Sequence, residues 1–203
     1  PRGAGTLYAW SDTSLTIGVG EARTIAGMLR NGTNSDWRSG ASLTIAERID
    51  GLGQARGAGL RFVASTDLNI GNDILTHDGA LTLIAESGSV DVARLPDVPL
   101  DSKDRQYPLL FTGTGNLTMR AAHALNVPYV LSLGNVDLES TQWYVDVQQN
   151  IGRPDFQIAA LNIRANGPPT NPKNPTDFGG QVRLRDVALR DGGTLSVEAS
   201  GYI

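Results

Sequence analysis

Few of the side chains that do chemistry in proteins occur in this chain, and their spacing limits what they could do. The 203 residues include 2 histidines and no cysteine. His77 stands in Leu75-Thr76-His77-Asp78-Gly79 and His123 in Ala121-Ala122-His123-Ala124-Leu125. A Ser-His-Asp relay needs a nucleophile beside the imidazole, and neither histidine adjoins a Gly-x-Ser-x-Gly turn. Both read as turn or corner residues facing solvent. The missing cysteines exclude thiol catalysis, disulfides and thiolate metal sites together.

Carboxylates are the remaining candidates. Asp97, Asp101 and Asp104 crowd one polar stretch, and Asp186 and Asp191 flank a short apolar run. Paired carboxylates can serve as acid and base on a glycosidic bond, and clustered oxygens can hold calcium. The Gly-Gly-x-Gly-x-Asp nonapeptide that builds calcium into β-rolls is absent, and solvated loop charges account for these aspartates. The run Gly51-Leu52-Gly53-Gln54-Ala55-Arg56-Gly57 lacks the Gly-x-Gly-x-x-Gly spacing that cradles a phosphate. No catalytic residue, metal or cofactor is therefore expected. Two Asn-x-Thr triplets, Asn31-Gly32-Thr33 and Asn116-Leu117-Thr118, are potential glycan acceptors.

Composition narrows the partners. Lys and Arg number 17 against 21 Asp and Glu, a net charge of -4, and they are dispersed. No basic stripe exists to neutralise a nucleic-acid backbone. No apolar run approaches the roughly 20 residues that cross a bilayer as a helix, so the chain is not expected to span a membrane. It starts at Pro1 and stops inside a repeat-like phrase, which suggests a piece of something longer. Charged residues are 19% of the chain, below the roughly 25% of ordinary domains, while 24 glycines recur throughout. That pattern implies many turns between short strands.

The strands themselves repeat a phrase: a small or polar residue, Leu, a polar residue, an aliphatic or aromatic one, then Ala. It returns at Leu43-Thr44-Ile45-Ala46, Leu60-Arg61-Phe62-Val63-Ala64, Leu81-Thr82-Leu83-Ile84-Ala85, Leu117-Thr118-Met119-Arg120-Ala121 and Leu195-Ser196-Val197-Glu198-Ala199, with an earlier Leu15-Thr16-Ile17. Apolar residues two apart share one face of a strand, and the polar ones share the other. A second short strand follows three copies, at Leu68-Asn69-Ile70, Val90-Asp91-Val92 and Leu125-Asn126-Val127. A Greek-key sandwich has similar turn spacing but no reason to reuse the same words in order. Stacked coils do.

The expected fold is therefore all-β, a parallel β-solenoid running through residues 1–203. In it Leu43, Leu60, Leu81 and Leu117 would share one interior ladder, at 17 and 21 residues per circuit, with two circuits between Leu81 and Leu117. Pro-rich stretches at 94–111 and 166–179 are expected to loop out of the coils. Residues 21–30 have Ile25, Met28 and Leu29 at helical spacing, suiting a short helix or another coil face. Residues 129–180 fit the period poorly and suggest a capping or inserted β-module, with Trp143 and Tyr144 covering part of the core. If the surface binds anything, the exposed-aromatic candidates are Tyr107, Tyr129, Trp143 and Tyr144.

Runs such as Gly79-Ala80-Leu81-Thr82-Leu83-Ile84-Ala85-Glu86-Ser87-Gly88-Ser89-Val90-Asp91-Val92 and Gly115-Asn116-Leu117-Thr118-Met119-Arg120-Ala121 resemble the repeats of the filamentous haemagglutinin family, exoproteins exported by two-partner secretion. The resemblance covers residues 40–130 and, more loosely, 180–203. It implies a right-handed parallel β-helix (β-solenoid), a rod secreted to the bacterial surface through an outer-membrane partner and bearing adhesive or effector modules toward a receptor or glycan on a host or neighbouring cell. The Asn-Pro-Asn motif of the family's secretion domain is missing, and Asn171-Pro172-Lys173-Asn174-Pro175 only echoes it. The chain is thus more like shaft than secretion signal. The competing expectations are a carbohydrate-active β-helix of the lyase or tailspike type, and a β-sandwich module.

Overall fold

The repeated phrase makes strands with one apolar side, and such strands are stable only where that side is covered by others like it. The computed structural model, which describes residues 5–51, 57–95, 105–167 and 179–201, covers them by stacking coil on coil. The first coil holds β1 (Thr6–Ser11), β2 (Leu15–Ile17) and α1 (Val19–Arg30), and the second β3 (Asn34–Ser39), β4 (Leu43–Ile45) and β5 (Ile49–Asp50). The third has β6 (Leu60–Ala64), β7 (Leu68–Ile70) and β8 (Ile74–Leu75), and the fourth β9 (Leu81–Ala85), β10 (Val90–Val92) and β11 (Leu109–Gly113). The fifth has β12 (Leu117–Ala121), β13 (Leu125–Val127) and β14 (Tyr129–Ser132). Then come β15 (Asn135–Ser140) with β16 (Val145–Val147), β17 (Ile158–Ala165) with β18 (Val182–Arg183), and a last strand, β19 (Leu189–Ala199).

The first strands of successive coils form one eight-stranded sheet, the second strands a seven-stranded sheet, and the third strands a four-stranded one. Every pairing between named strands is parallel, with equivalent residues stacked in register, as Leu81 is with Leu117 and Leu83 with Met119. Isolated bridges carry the third face onward from Val130 to Ile151 to Val187. The class is a parallel β-helix, with one helix closing its first coil.

Interior columns run along the stack. In the first sheet Leu60, Leu81, Leu117, Val136 and Leu161 are in register and at most 1% exposed. Beside them run Trp37, Phe62, Leu83, Met119, Leu138 and Ile163. Each fully buried Leu or Ile contributes about 1.5–3 kcal/mol, so every coil stabilises itself and its neighbours. The Ala that ends the phrase belongs to a third column, Ser39, Ala64, Ala85, Ala121, Ser140 and Ala165, where the chain turns into the second sheet. Only a small side chain fits inside that turn. At Ser140 the hydroxyl also donates to the His123 carbonyl, tying one turn to the next.

Two expectations about the repeat are corrected. Leu43 does not share the ladder of Leu60: it lies in the second sheet, in register with Leu15 and Leu68, and its column continues through Val90, Leu125 and Val145. The same words are written on two faces because both need the same inside-out alternation. The 17-residue circuit therefore does not exist; in-register spacings in the first sheet are 25 from Ser35 to Leu60, 21 to Leu81, 36 to Leu117 and 19 to Val136. The 36-residue interval is one circuit with a long excursion, not two.

Other parts also differ. Residues 21–30 form a helix, α1, because Gly18 N–H donates to Glu21 Oε2 at 3.1 Å across its first turn and Ala22, Ile25, Ala26 and Leu29 make one buried face. Leu29 packs so close to Gly51 that a Cβ there would come 2.8 Å from Leu29 Cδ1. The described part of 129–180 is no inserted module: β14 to β18 stay in register with the coils before them. The first excursion ends earlier than expected, since β11 begins at Leu109, and residues 96–104 and 168–178 lie outside the described residues. Among the described residues no helix is long and apolar enough to cross a membrane.

Candidate binding surface

Alternation puts a second set of residues on the outside of the first sheet. Coil by coil the outward columns read Thr82, Thr118, Asp137, Asn162, Ser196 and, two residues on, Ile84, Arg120, Glu139, Arg164, Glu198. Neighbours in a column sit one strand apart, about 4.8 Å, so opposite charges meet where Arg120 adjoins Glu139 and Arg164 adjoins Glu198. Arg120 Nε is 2.9 Å from Glu139 Oε2, Arg164 Nε is 3.5 Å from Glu198 Oε2, and Asn162 Nδ2 donates to Asp137 Oδ1 at 2.7 Å. Toward the first coil Asp36, 8% exposed, is held by Arg61 at 3.0 Å and Arg38 at 3.3 Å.

Two depressions mark this face. One, of ≈ 290 Å³, lies among Thr118, Arg120, Asp137, Glu139, Asn162 and Arg164; the other, of ≈ 370 Å³, among Glu86, Arg120, Ala122 and Thr141, and Ile84 lines both. Their size is at the lower end of small-molecule sites, about 300–1,000 Å³. The second depression stops at the turn between the first and second sheets. There Trp143 lies tilted against His123 (centroids 5.3 Å, planes 30° apart) and stacks with Tyr144 (6.4 Å, planes 13° apart), while the residue stays 47% exposed. The backbone beneath it is fixed on both sides, since Trp143 N–H donates to Ser140 Oγ at 3.1 Å and Trp143 O accepts from Gly180 N–H at 2.8 Å.

The four aromatic residues singled out by sequence therefore divide. Trp143 and Tyr144 stand together outside the core, not over it. Tyr107 and Tyr129 sit where the second sheet gives way to the third, and there Tyr129 N–H donates to Pro108 O and Tyr107 N–H to Gln149 Oε1. Tyr144 leads onto the second sheet's outer face, a ladder in which Asn126 Nδ2 donates to Asp91 Oδ1 and Gln148 Nε2 to Asp146 Oδ2, both at 3.0 Å. Burial, reinforced by Asp146 and Asp91, pushes the Tyr144 phenol above its ordinary 10.0.

Sequence reasoning missed Tyr8 and Trp10, each 73% exposed on the outer side of β1, and the partnership of His123 with Trp143. The alternation of Leu7-Tyr8-Ala9-Trp10 carried the first signal; the second depends on a 20-residue separation that only the coil closes. The other candidates stay apart. His77 lies at a different corner, 3.7 Å from Asp78, with both residues at positive φ. Asp186 and Asp191 are exposed, and Asp97, Asp101 and Asp104 fall outside the described residues. Among the described residues no group of three His, Asp or Glu could hold a metal ion. Asn31 and Asn116 are both exposed, and Asn116 Oδ1 accepts Asn135 N–H at 3.0 Å.

The fold defines a class, the parallel β-helices. No protein-family model, curated protein or solved structure matches the chain.

Proposed function

We propose that the chain is a structural and adhesive shaft segment of a large secreted bacterial surface protein of the filamentous haemagglutinin type. Exported through an outer-membrane partner, it holds itself or a distal module toward a receptor or glycan on a host or neighbouring cell. The observation that carries this reading is the uninterrupted interior, in which columns such as Leu60 to Leu161 pass from coil to coil without a polar break. Such an interior makes a stiff spacer whose length grows by one strand spacing per coil. Charges on its outer face are matched against one another, as Arg120 with Glu139 and Arg61 with Asp36.

A second reading, a carbohydrate-active β-helix, is favoured by one observation: Asp137 and Glu139 project from the same side of β15, two residues apart. Each carboxylate is already engaged, by Asn162 and Arg120, as a fixed hydrogen-bond acceptor. That arrangement suits holding a ligand better than moving a proton, so the first reading stands. Beads coated with the chain are expected to attach to cells, and a panel of polysaccharides incubated with it to gain no reducing or unsaturated ends. New chain ends would turn the assignment to the second reading, and beads that attach to no cell would remove the adhesive role.

A further inference from the structure

We infer that the strip from Asn162 and Arg164 across Arg120 to the indole of Trp143 is a binding site for a neutral oligosaccharide. This rests on the adhesive reading above and assigns it a place on the molecule. The strip is continuous: the two depressions share Ile84 and Arg120, and the second ends at Ala122 and Thr141, one residue before His123 and two before Trp143.

The indole is the first element of recognition. An aromatic ring that is half exposed yet braced by Tyr144 stacked with it and His123 tilted against it, on a backbone pinned by Ser140 and Gly180, is already ordered. A ligand that lies on it loses little further conformational freedom from the protein, and the ring offers a large flat apolar area with a polar edge. The C–H face of a pyranose matches that surface.

The polar groups supply the second element. Carboxylate, amide and guanidinium are planar groups with more than one hydrogen-bonding edge. Their mutual contacts engage Nε of Arg120 and Arg164, Oε2 of Glu139, Oδ1 of Asp137 and Nδ2 of Asn162. The other edges offer donors and acceptors side by side, and adjacent sugar hydroxyls, each both donor and acceptor, pair with both.

Charge selects the class of ligand. Arg120 is matched by Glu139 and Arg164 by Glu198, while Asp137 and Glu86 add negative charge. An anionic glycan or nucleic acid would meet surplus negative potential and find no unmatched cation on the strip. A hydroxyl-rich neutral chain carries no such penalty.

Calorimetric titration of the intact chain with cello-, malto-, manno- and fully N-acetylated chito-hexaose, and with heparin as the anionic control, tests this. Saturable binding of at least one neutral hexasaccharide, little changed by added salt, is expected, with heparin inert. Trp143→Ala should raise the Kd about tenfold or more, equivalent to about 1.4 kcal/mol, and Trp143→Phe should recover part of it. Arg120→Ala and Asn162→Ala should weaken binding less, and Trp10→Ala should leave it unchanged, all with wild-type circular dichroism. No neutral hexasaccharide bound at millimolar concentration, or binding indifferent to both Trp143→Ala and Arg120→Ala, overturns the inference. So does attachment of coated beads that is lost when cells are treated with protease but not with glycosidases. In that case the adhesive reading survives and only the site fails; saccharide binding without any cell attachment is the reverse.

Discussion

Arg105 grips Asp73 with both of its terminal nitrogens, Nη1 to Oδ1 at 2.5 Å and Nη2 to Oδ2 at 3.1 Å. Arg105 stands where the first excursion returns to the fourth coil, and Asp73 lies in the third, its side chain 9% exposed. The same Oδ1 accepts Leu109 N–H at 2.9 Å, the first residue of β11. One carboxylate thus seats the end of the excursion and starts the strand after it. Bidentate pairs of this kind are both stronger and more specific than point charges.

Removing Asp73 should therefore cost more than removing Arg105. Asp73→Ala leaves the Leu109 N–H without its acceptor as well as the guanidinium without its anion, and about 2–4 kcal/mol is expected, since breaking a buried pair from one side costs roughly 3–5 and Arg105 remains partly wet. Arg105→Ala should cost less, because Leu109 still covers the carboxylate. Denaturant midpoints of the two variants and the double variant give the comparison. Equal losses would show that the Leu109 hydrogen bond contributes nothing.

Leu81 and Thr82 are adjacent on β9 and face opposite ways. Leu81 is fully buried between Leu60 and Leu117, whereas Thr82 lies in the outer column between Arg61 and Thr118. Leu81→Asp places an unpaired charge in the interior and should open the central coils, at a cost above about 4 kcal/mol. Thr82→Asp should change stability by less than about 0.5 kcal/mol. Hydrogen exchange separates them: amides of β6, β9 and β12 should lose protection in the first variant only. A Leu81→Asp protein with wild-type protection there would sink the ladder.

The inside-out alternation of these strands was readable in the sequence because a strand's period of two is written in consecutive residues. Which strands share a face was not. Leu43-Thr44-Ile45 and Leu60-Arg61-Phe62 follow one rule of burial, and only the register, Leu43 on Leu68 and Leu60 on Leu81, tells second sheet from first. The period itself was blurred by loops of unequal length, from 19 residues between Leu117 and Val136 to 36 between Leu81 and Leu117. Parallel coils tolerate this because an excursion at a corner leaves the stacked strands untouched. The binding surface was half legible: Trp143 and Tyr144 stood out as aromatic residues in a polar chain, but their companions His123, Arg120 and Asn162 come from other coils.

Glycines at one corner are fixed by the stacking distance. A Cβ on Gly115 would lie 2.3 Å from the Gly79 carbonyl oxygen and 2.4 Å from its carbon, both backbone atoms that cannot swing aside. Gly115→Ala should therefore cost about 1–3 kcal/mol or more, as overpacking does. Gly27, inside α1, has nothing within 4 Å of that position. Gly27→Ala should instead raise stability by about 0.5–1 kcal/mol through helix propensity. Urea midpoints moving in opposite directions are the expected result; a neutral Gly115→Ala would mean that the coils can spread at this corner.

Tyr144 ties the second sheet's outer face to alkaline pH. Burial raises its phenol above the ordinary 10.0, with Asp146 and Asp91 adding to the effect and Asn126 and Arg183 opposing it. The folded protein then holds this proton more tightly than the unfolded chain. Below pH 10 both states are neutral and the group is silent; as pH rises through 10 the unfolded state ionises first and stability falls, until the folded phenol ionises too. Tyr144→Phe should flatten that alkaline decline while leaving stability near neutral pH almost unchanged. Asp146→Asn removes the stronger of the two unfavourable charges and should shift the decline's end to lower pH. Urea midpoints between neutral pH and pH 11, with phenolate absorbance read alongside, measure both. An alkaline limb identical in wild type and Tyr144→Phe would mean that the phenol is as well solvated in the coil as in the unfolded chain.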